Sequence, residues 1–318
     1  HILNFTTGCI GTDYLNTLTQ EQQELLFATG EEAGLYNNEL QEAAKEDYRK
    51  KLEDEADALA RIGFQPRLTD QCELPFQTVG AVGFAEQASF HPLKFVSGIA
   101  KGLKIYENTF VKELKEQEAV TEHGEITFQK LIFATHFPID NKHGMYPLKM
   151  YQHRSYVIAL KDAQPLNGMY IDEAKHGMSF RSYREYLLLG GGSHRTGEKG
   201  GNWEEIRNCA RLYYPNLDEK YYWAAQDCMT LDGIPYIGRY SRGLPGCYVA
   251  TGFNKWGMTS SMAAASILTD LILEKENPYA QVFNPSRNMI KPQLFVNGAT
   301  AVKNLLTVSG KRCPHLGC

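Results

Sequence analysis

No run of residues in this chain is apolar and long enough to span a bilayer. The longest candidate, "WGMTSSMAAASILTDLILEK" from Trp256, is interrupted by Thr, Ser and Asp, whereas a span takes about 20 predominantly apolar residues. That stretch is expected to be a core helix, and no membrane partner is expected. No Lys/Arg run is long enough to track a phosphate backbone, and the net charge is −4 with a pI near 6.2. Nucleic acid is therefore not an expected partner either. The seven cysteines are odd in number and widely scattered, which does not make the disulfide framework of a secreted protein. A reducing compartment, and with it a cytoplasmic location, is expected. The chain opens on His1 without an initiator Met, a basic n-region or an apolar h-region, so this start does not read as a signal peptide. It reads as a cut end.

What is present has an ordinary globular composition, and 318 residues suffice for one large or two ordinary domains with full cores. From Thr19 to about Ile62 apolar residues recur at helical spacing (Leu25, Leu26, Ala33, Leu40, Ala44, Leu52, Leu59) in a background of Glu, Lys, Ala and Gln. This predicts one long helix or a pair, with "TQEQ" at Thr19 as a capping start. After Gly63 the texture turns to short β-rich runs, "PFQTVGAVGFA", "KIYEN", "FVKELKE" and "EITFQKLIFATH", with a short helix from His91 among them. His91 suits a capping or structural role.

"MYQHRSYVIAL" and "SFRSYREYLLLGGG" read as strands, followed by a helix at Asn202 to Tyr214 that Pro215 closes. Strands around "KYYWAAQDCMT" and "GCYVATG" lead into a long helix after Gly257, and a short helix is expected around Ala299 to Leu306. The glycine-rich "GGGSHRTGEKGG" is expected to be a mobile loop, and Tyr221, Tyr222 and Trp223 are expected in the core. The alternation of strands and helices predicts an α/β (α+β) fold.

One stretch invites a cofactor. "CYVATGFNKWGMTSSMAA" is an apolar strand (Tyr248, Val249, Ala250), a loop bounded by Gly252 and Gly257, and then a helix. Such a loop offers free backbone N–H groups and a positive helix end to an anion or to the electron-rich edge of a ring. Strand-Gly-helix turns are also common as plain structure. Two neighbours sharpen the reading: "LDGIPYIGRY" from Leu231 and "KLIFATH" from Lys130. Together the three pieces resemble the D-amino-acid oxidase superfamily of FAD-dependent oxidoreductases, which includes glycine and sarcosine oxidases. Asp232, Gly233, Pro235 and Gly238 match one family stretch, and Gly252, Phe253, Trp256, Gly257 and Met258 match another.

The resemblance is closest to a branch carrying a C-terminal Rieske [2Fe-2S] domain, through "YQHRSYVIAL", "LLLGGGSHRTG", "GFNKWGMTSSM", "PQLFVNG" and the final "CPHLGC", so that it covers the chain from about Leu74 to Cys318. A Rieske cluster takes two Cys on one iron and two His on the other. By this resemblance Cys313 and His315 are ligands from the first box, and Cys318 is a non-ligand. The second Cys/His box is absent from this sequence, so no cluster is expected in the chain as it stands. The chain is expected to be cut inside that domain. Without the resemblance, a short Cys/His pair equally suits zinc or a surface tail.

FAD proteins of this class cradle the pyrophosphate with G-x-G-x-x-G, which the sequence lacks. "TTGCIGTD" from Thr6 has its glycines at the wrong spacing. The family's flavin-binding start is expected before His1. The resemblance places Gly252, Phe253, Asn254, Trp256, Gly257, Met258 and Thr259 against the ring and its side chain. It places Ala134, Thr135 and His136 near the ribityl or diphosphate, and Val111 near the adenine side. Each also has a plain packing reading.

Candidate catalytic residues are His194 and Arg195, which follow three glycines where a substrate carboxylate could be met, and His153. A polar turn is the alternative for the first two. His153 and Arg154 alternate along a strand, so only one can face a cavity. Cys228, in "DCMT", stands where sarcosine oxidases carry a flavin-linked cysteine, and it also suits a buried inert thiol.

The expected organisation is a helical segment of the FAD-binding domain over 1–63 and interleaved FAD-binding and mixed-sheet substrate domains over 64–283. FAD-side pieces fall at about 91–136 and 229–275, and substrate-side pieces at about 64–90 and 145–228. A connector over 284–310 and the first residues of a Rieske domain over 311–318 complete it. The expected activity is oxidation of a small-molecule substrate, such as an amine or amino acid, with FAD as cofactor. In the full-length protein the electrons pass to the [2Fe-2S] centre and on to an electron-acceptor protein. The rival expectations are a scaffold that kept the fold without cofactor, and an oxygen-reducing amine oxidase with an accessory Rieske domain.

Overall fold

The computed structural model describes residues 15–140, 143–172 and 177–308. These fall into two compact units, one within His1–Ser89 and Pro165–Tyr170, the other within Phe90–Gln164 and Ile171–Cys318. Cys313 and His315 lie outside the described residues, as do Thr6 to Asp13.

The first unit is dominated by α1 (Gln20–Arg61), a single uninterrupted helix of 42 residues, about 63 Å long at 1.5 Å per residue. Its start is the capping box read from the sequence. The Thr19 hydroxyl accepts the Gln22 N–H, and the Gln22 side chain accepts the Thr19 N–H at 2.9 Å. Leu25 and Leu40 are nonetheless exposed along it, while Ala56 is buried. The antiparallel pair β1 (Arg67–Thr69) and β2 (Ala81–Gly83) follows. Glu73 accepts the Asn167 backbone N–H at 2.8 Å and the Tyr170 hydroxyl at 3.1 Å.

In the second unit α2 (Pro92–Ile99) starts with His91 as its N-cap, whose ring nitrogen accepts the Lys94 N–H. The capping role expected of His91 is the one observed. "KIYEN" forms no strand, and the chain pairs only from β3 (Val111–Lys115) onward, with β4 (Glu118–Thr121) and β5 (Glu125–Thr127) in a three-stranded antiparallel sheet. Ile105 and Tyr106 in the unpaired stretch are exposed. β6 (Leu131–Phe133) runs parallel to β13 (Cys247–Thr251), which pairs antiparallel with β12 (Tyr236–Arg239). This small mixed sheet is buried on both faces. One face meets Ala264, Ile267 and Leu268 of α5 (Gly257–Ile272), and the other meets Tyr146, Met150, Cys228 and Tyr240. Tyr146, from the short α3 (Tyr146–Lys149), stacks on Tyr240 at 5.1 Å and donates its hydroxyl to the Tyr240 carbonyl at 3.1 Å.

Four strands of the larger sheet lie in the order β11 (Asp218–Thr230), β7 (Met150–Lys161), β10 (Tyr186–Arg195), β9 (Ser179–Tyr183), all antiparallel. The helix α4 (Asn202–Tyr213) covers one face through Ile206, Cys209 and Ala210. For Gly190 to Arg195 the expected mobile glycine loop is corrected, while Thr196 to Gly201 are turn and coil. Gly190 to Arg195 are strand, because Gly190, Gly191 and Gly192 let Ser179, Ile206 and the Asn202 carbonyl approach to where a Cβ would stand. Tyr221, Tyr222 and Trp223 are a second correction, since they are 60%, 61% and 42% exposed on edge strand β11 rather than in the core.

The stretch read as a connector is anchored. After β8 (Tyr170–Ile171) and α6 (Ala280–Phe283), α7 runs Pro292–Val308, longer than the Ala299 to Leu306 helix expected. Buried Lys149 donates to the Pro285 carbonyl at 2.7 Å, and buried Asn297 donates to the Leu148 carbonyl at 3.3 Å. Arg287 grips Asp232 with two hydrogen bonds of 2.9 and 2.7 Å. No helix of the described residues is long and apolar enough to cross a membrane.

Candidate functional site

Two candidate stretches meet at the carboxyl ends of the parallel pair. β6 and β13 are aligned with Phe133 opposite Val249, so Ala134 to His136 and Thr251 to Gly252 leave the sheet side by side. Ligands of open α/β sheets collect at such strand ends. Thr251 fastens the two, its hydroxyl donating to the His136 carbonyl. His136 itself is left-handed, with φ +64°.

The loop after Gly252 is held in an unusual shape. Gly252 has φ +71°, and a Cβ there would stand 2.3 Å from Cγ2 of Thr230, so only glycine fits. Asn254 and Lys255 are also left-handed, at φ +50° and +70°, a conformation that costs L-residues energy and persists where surrounding contacts impose it. Asn254 supplies those contacts. Its Oδ1 accepts the Thr230 N–H at 2.8 Å, its Nδ2 donates to the Gly252 carbonyl at 2.7 Å, and its backbone N–H donates to the Cys228 carbonyl at 3.2 Å.

The loop ends at the start of α5. Trp256, the N-cap, makes no side-chain capping bond, and the first turn holds no acidic residue. Its leading N–H groups therefore form a positive helix end without a protein anion. A Cβ at Gly257 would meet nothing within 4 Å, so the space in front is open. Met258 and Thr259 follow in the first turn. The ring end of a flavin fits this cradle, whereas no described residues form the glycine-rich pyrophosphate turn. Val111 stands apart in the three-stranded sheet, paired with Thr121.

Lys255, which the sequence reading left out of its candidates, projects onto the uncovered face of the large sheet. Its ammonium donates to Oγ of Ser193. Ser193 lies 3.0 Å from the Ser155 hydroxyl and 3.4 Å from Nδ1 of His153. His153 is directly opposite Arg195 on one neighbouring strand and Asp227 on the other, so these side chains share one face. The Arg195 guanidinium lies 4.8 Å over the Tyr151 ring. Burial lowers the Lys255 pKa, with Asp227 opposing, and burial raises that of Tyr151, with Arg195 opposing.

His194 is not in this group. It follows Ser193 and pairs with Arg154, which puts it on the other face, beneath α4. Its Nδ1–H donates to the Arg195 carbonyl at 2.9 Å, so its Nε2 accepts the Tyr156 hydroxyl at 2.9 Å. It lines a cleft of about 380 Å³ with Ser193, Lys199, Gly200, Gly201 and Glu205. The geometry thus gathers His153 and Arg195 and sets His194 behind the sheet. Cys228 is buried, with its thiol pKa raised by burial, and takes a hydrogen bond from Gln152 at 3.2 Å. Among the described residues no group of three or more His, Cys, Asp or Glu is placed to hold a metal.

Comparison with known proteins points one way. The family described as "DAO: FAD dependent oxidoreductase" matches residues 15–271. A Bacillus subtilis (strain 168) protein, YhfW, named as a candidate Rieske 2Fe-2S iron-sulfur protein, is 33% identical over 299 residues. That match takes in 89% of this chain and 58% of YhfW, so the chain spans little more than half of that relative's length. Glycine oxidase from Geobacillus kaustophilus superposes with a TM-score of 0.61 at 17% identity, over 76% of this chain and 72% of its own. L-proline dehydrogenase from P. horikoshii does so with a TM-score of 0.60 at 17% identity, over 76% and 73%. At that identity the two structures establish the fold.

Proposed function

The chain belongs to the DAO family of FAD-dependent oxidoreductases, and from that premise we propose that the protein containing it oxidises a small amine or amino acid and passes the electrons to a Rieske [2Fe-2S] centre. The observation that carries the flavin part is the meeting of the Ala134–His136 turn with the Gly252–Gly257 loop at an uncapped helix start. When bound, FAD accepts the hydride from the substrate carbon.

In this reading the residues of the chain bind and orient. The first turn of α5 offers N–H groups and a positive end to the electron-rich edge of the ring. Thr251 and Asn254 fix the loop that carries those groups, so little reorganisation is needed when charge develops. Arg195 supplies positive charge on the face of the sheet that helix α4 leaves open, where an anionic group of the substrate is held, and Lys255 stands beside it. His153 and Tyr151 line the same face. The large sheet and its helix serve as the substrate side, and the segments about 91–136 and 229–275 as the flavin side.

The electron-acceptor part rests on the name of the YhfW relative and on "CPHLGC", where Cys313 and His315 would each ligate one iron. The test is anaerobic reduction of the full-length protein followed by absorbance and electron paramagnetic resonance. The expected result is flavin bands that bleach together with the appearance of the reduced-cluster signal before oxygen is admitted. A protein without flavin bands, or a cluster that stays oxidised while the flavin is reduced, would refute the proposal.

A further inference from the structure

Three polar side chains from three separate elements are linked in a row on the open face of the large sheet. Lys255 comes from the loop before α5, Ser193 from β10 and His153 from β7. A lysine ammonium can only donate, so Ser193 Oγ must accept from Lys255. The single hydroxyl hydrogen of Ser193 is then available to neighbours that include Oγ of Ser155 at 3.0 Å and Nδ1 of His153 at 3.4 Å.

We propose that Lys255, Ser193 and His153 form a proton chain that removes the proton an amine substrate must lose when it is oxidised. This rests on the amine-oxidising reading above. The substrate ammonium gives one proton to neutral Lys255. The resulting ammonium passes one hydrogen to Ser193 Oγ as the hydroxyl hydrogen of Ser193 moves to His153 Nδ1. The imidazolium then releases its Nε2 proton to water, and exchange with solvent moves the remaining Nδ1 proton to Nε2 before the next turnover, which restores the starting tautomer. Only N–H and O–H bonds form and break, and one proton leaves per turnover.

The surroundings favour this traffic. Lys255 is exposed as a residue, but its ammonium is turned onto buried Ser193 by the left-handed Asn254–Lys255 pair, which Asn254 pins to β11. Burial lowers its pKa and so raises the fraction of neutral amine. The charged or titratable groups that face His153 are Arg195 from β10, Asp227 from β11, Tyr151 on its own strand and Lys255 from the loop. Arg195, and Lys255 in its protonated form, disfavour the imidazolium, and Asp227 favours it. The imidazole thus sits between opposing charges on its two neighbouring strands.

The test is nitrogen-15 NMR of histidine-labelled full-length protein, with His153 assigned through His153→Gln. In the neutral state the proton of His153 is expected on Nε2, with Nδ1 accepting from Ser193. Ser193→Ala is expected to abolish that tautomer preference without unfolding the protein, since a small buried hydroxyl is removed. Lys255→Met is expected to raise the His153 midpoint by removing the charge that Lys255 carries in its protonated form. A neutral His153 protonated on Nδ1, or a His153 that responds to neither substitution, would overturn the proposal. The readout needs no substrate or electron acceptor. A failed chain with flavin and cluster both reducible therefore separates from failure of the flavoenzyme reading itself.

Discussion

The Thr251 hydroxyl is bonded to the His136 carbonyl across 115 residues of sequence, and this one contact fastens the turn after β6 to the loop after β13. The carbonyl it satisfies belongs to a residue with positive φ, so the bond also holds a conformation that the backbone alone does not favour. Thr251→Val keeps the shape and removes the donor from a buried position. A loss of about 1–3 kcal/mol in stability is expected, read from urea unfolding, together with weaker flavin retention in the full-length protein.

Gly252→Ala is expected to be more damaging than its size suggests. The added methyl would collide with Thr230 at 2.3 Å in a backbone conformation reserved for glycine. A cost of roughly 2–4 kcal/mol is expected, seen as a lower urea midpoint. Gly257→Ala, at the other end of the same loop but open in space, is expected to leave the midpoint unchanged or slightly raised.

Arg287 and Asp232 make a largely buried ion pair, with side chains 14% and 15% exposed. Burial pushes the Asp232 carboxyl up, but the hydrogen bonds and charge of Arg287 outweigh it and the net pKa is lowered. A lowered folded-state pKa gives stability that is full above the unfolded carboxylate range and is lost as pH falls through the folded value. Arg287→Met is therefore expected to cost about 3–5 kcal/mol at neutral pH and to flatten the acid limb of the stability profile below about pH 4. It is also expected to open the segment after Asn284 to proteolysis, since Arg287 also bonds the Ile234 and Pro235 carbonyls.

Much of this architecture is written locally. The Thr19 capping box, the His91 cap, Pro215 beyond α4 and the strand-loop-helix after Tyr248 are all set by short-range chemistry, and each stands where the residues point. The family resemblance located the Ala134 turn and the Gly252 loop, but not the bond between Thr251 and His136 that joins them. What escaped depends on long-range register. His153 and Arg195 meet because β7 and β10 pair with a bulge between Gly191 and His194. That one extra residue also turns His194 to the far face. Lys255 was not among the candidate residues, and its placement against Ser193 comes from its left-handed backbone, which a sequence does not display. Tyr221 to Trp223 read as core from their size, yet β11 is an edge strand and leaves them exposed.

The central claim, that a flavin ring meets the start of α5, is tested most directly by Gly257→Asp in the full-length protein. An acidic residue in a first helical turn favours the helix by about 0.3–1 kcal/mol, so folding is expected to be intact. The added negative charge is expected to lower the two-electron potential of the flavin by on the order of 20 mV, or to release the flavin altogether. A flavin retained with its spectrum and potential unchanged would place the ring elsewhere and contradict the account.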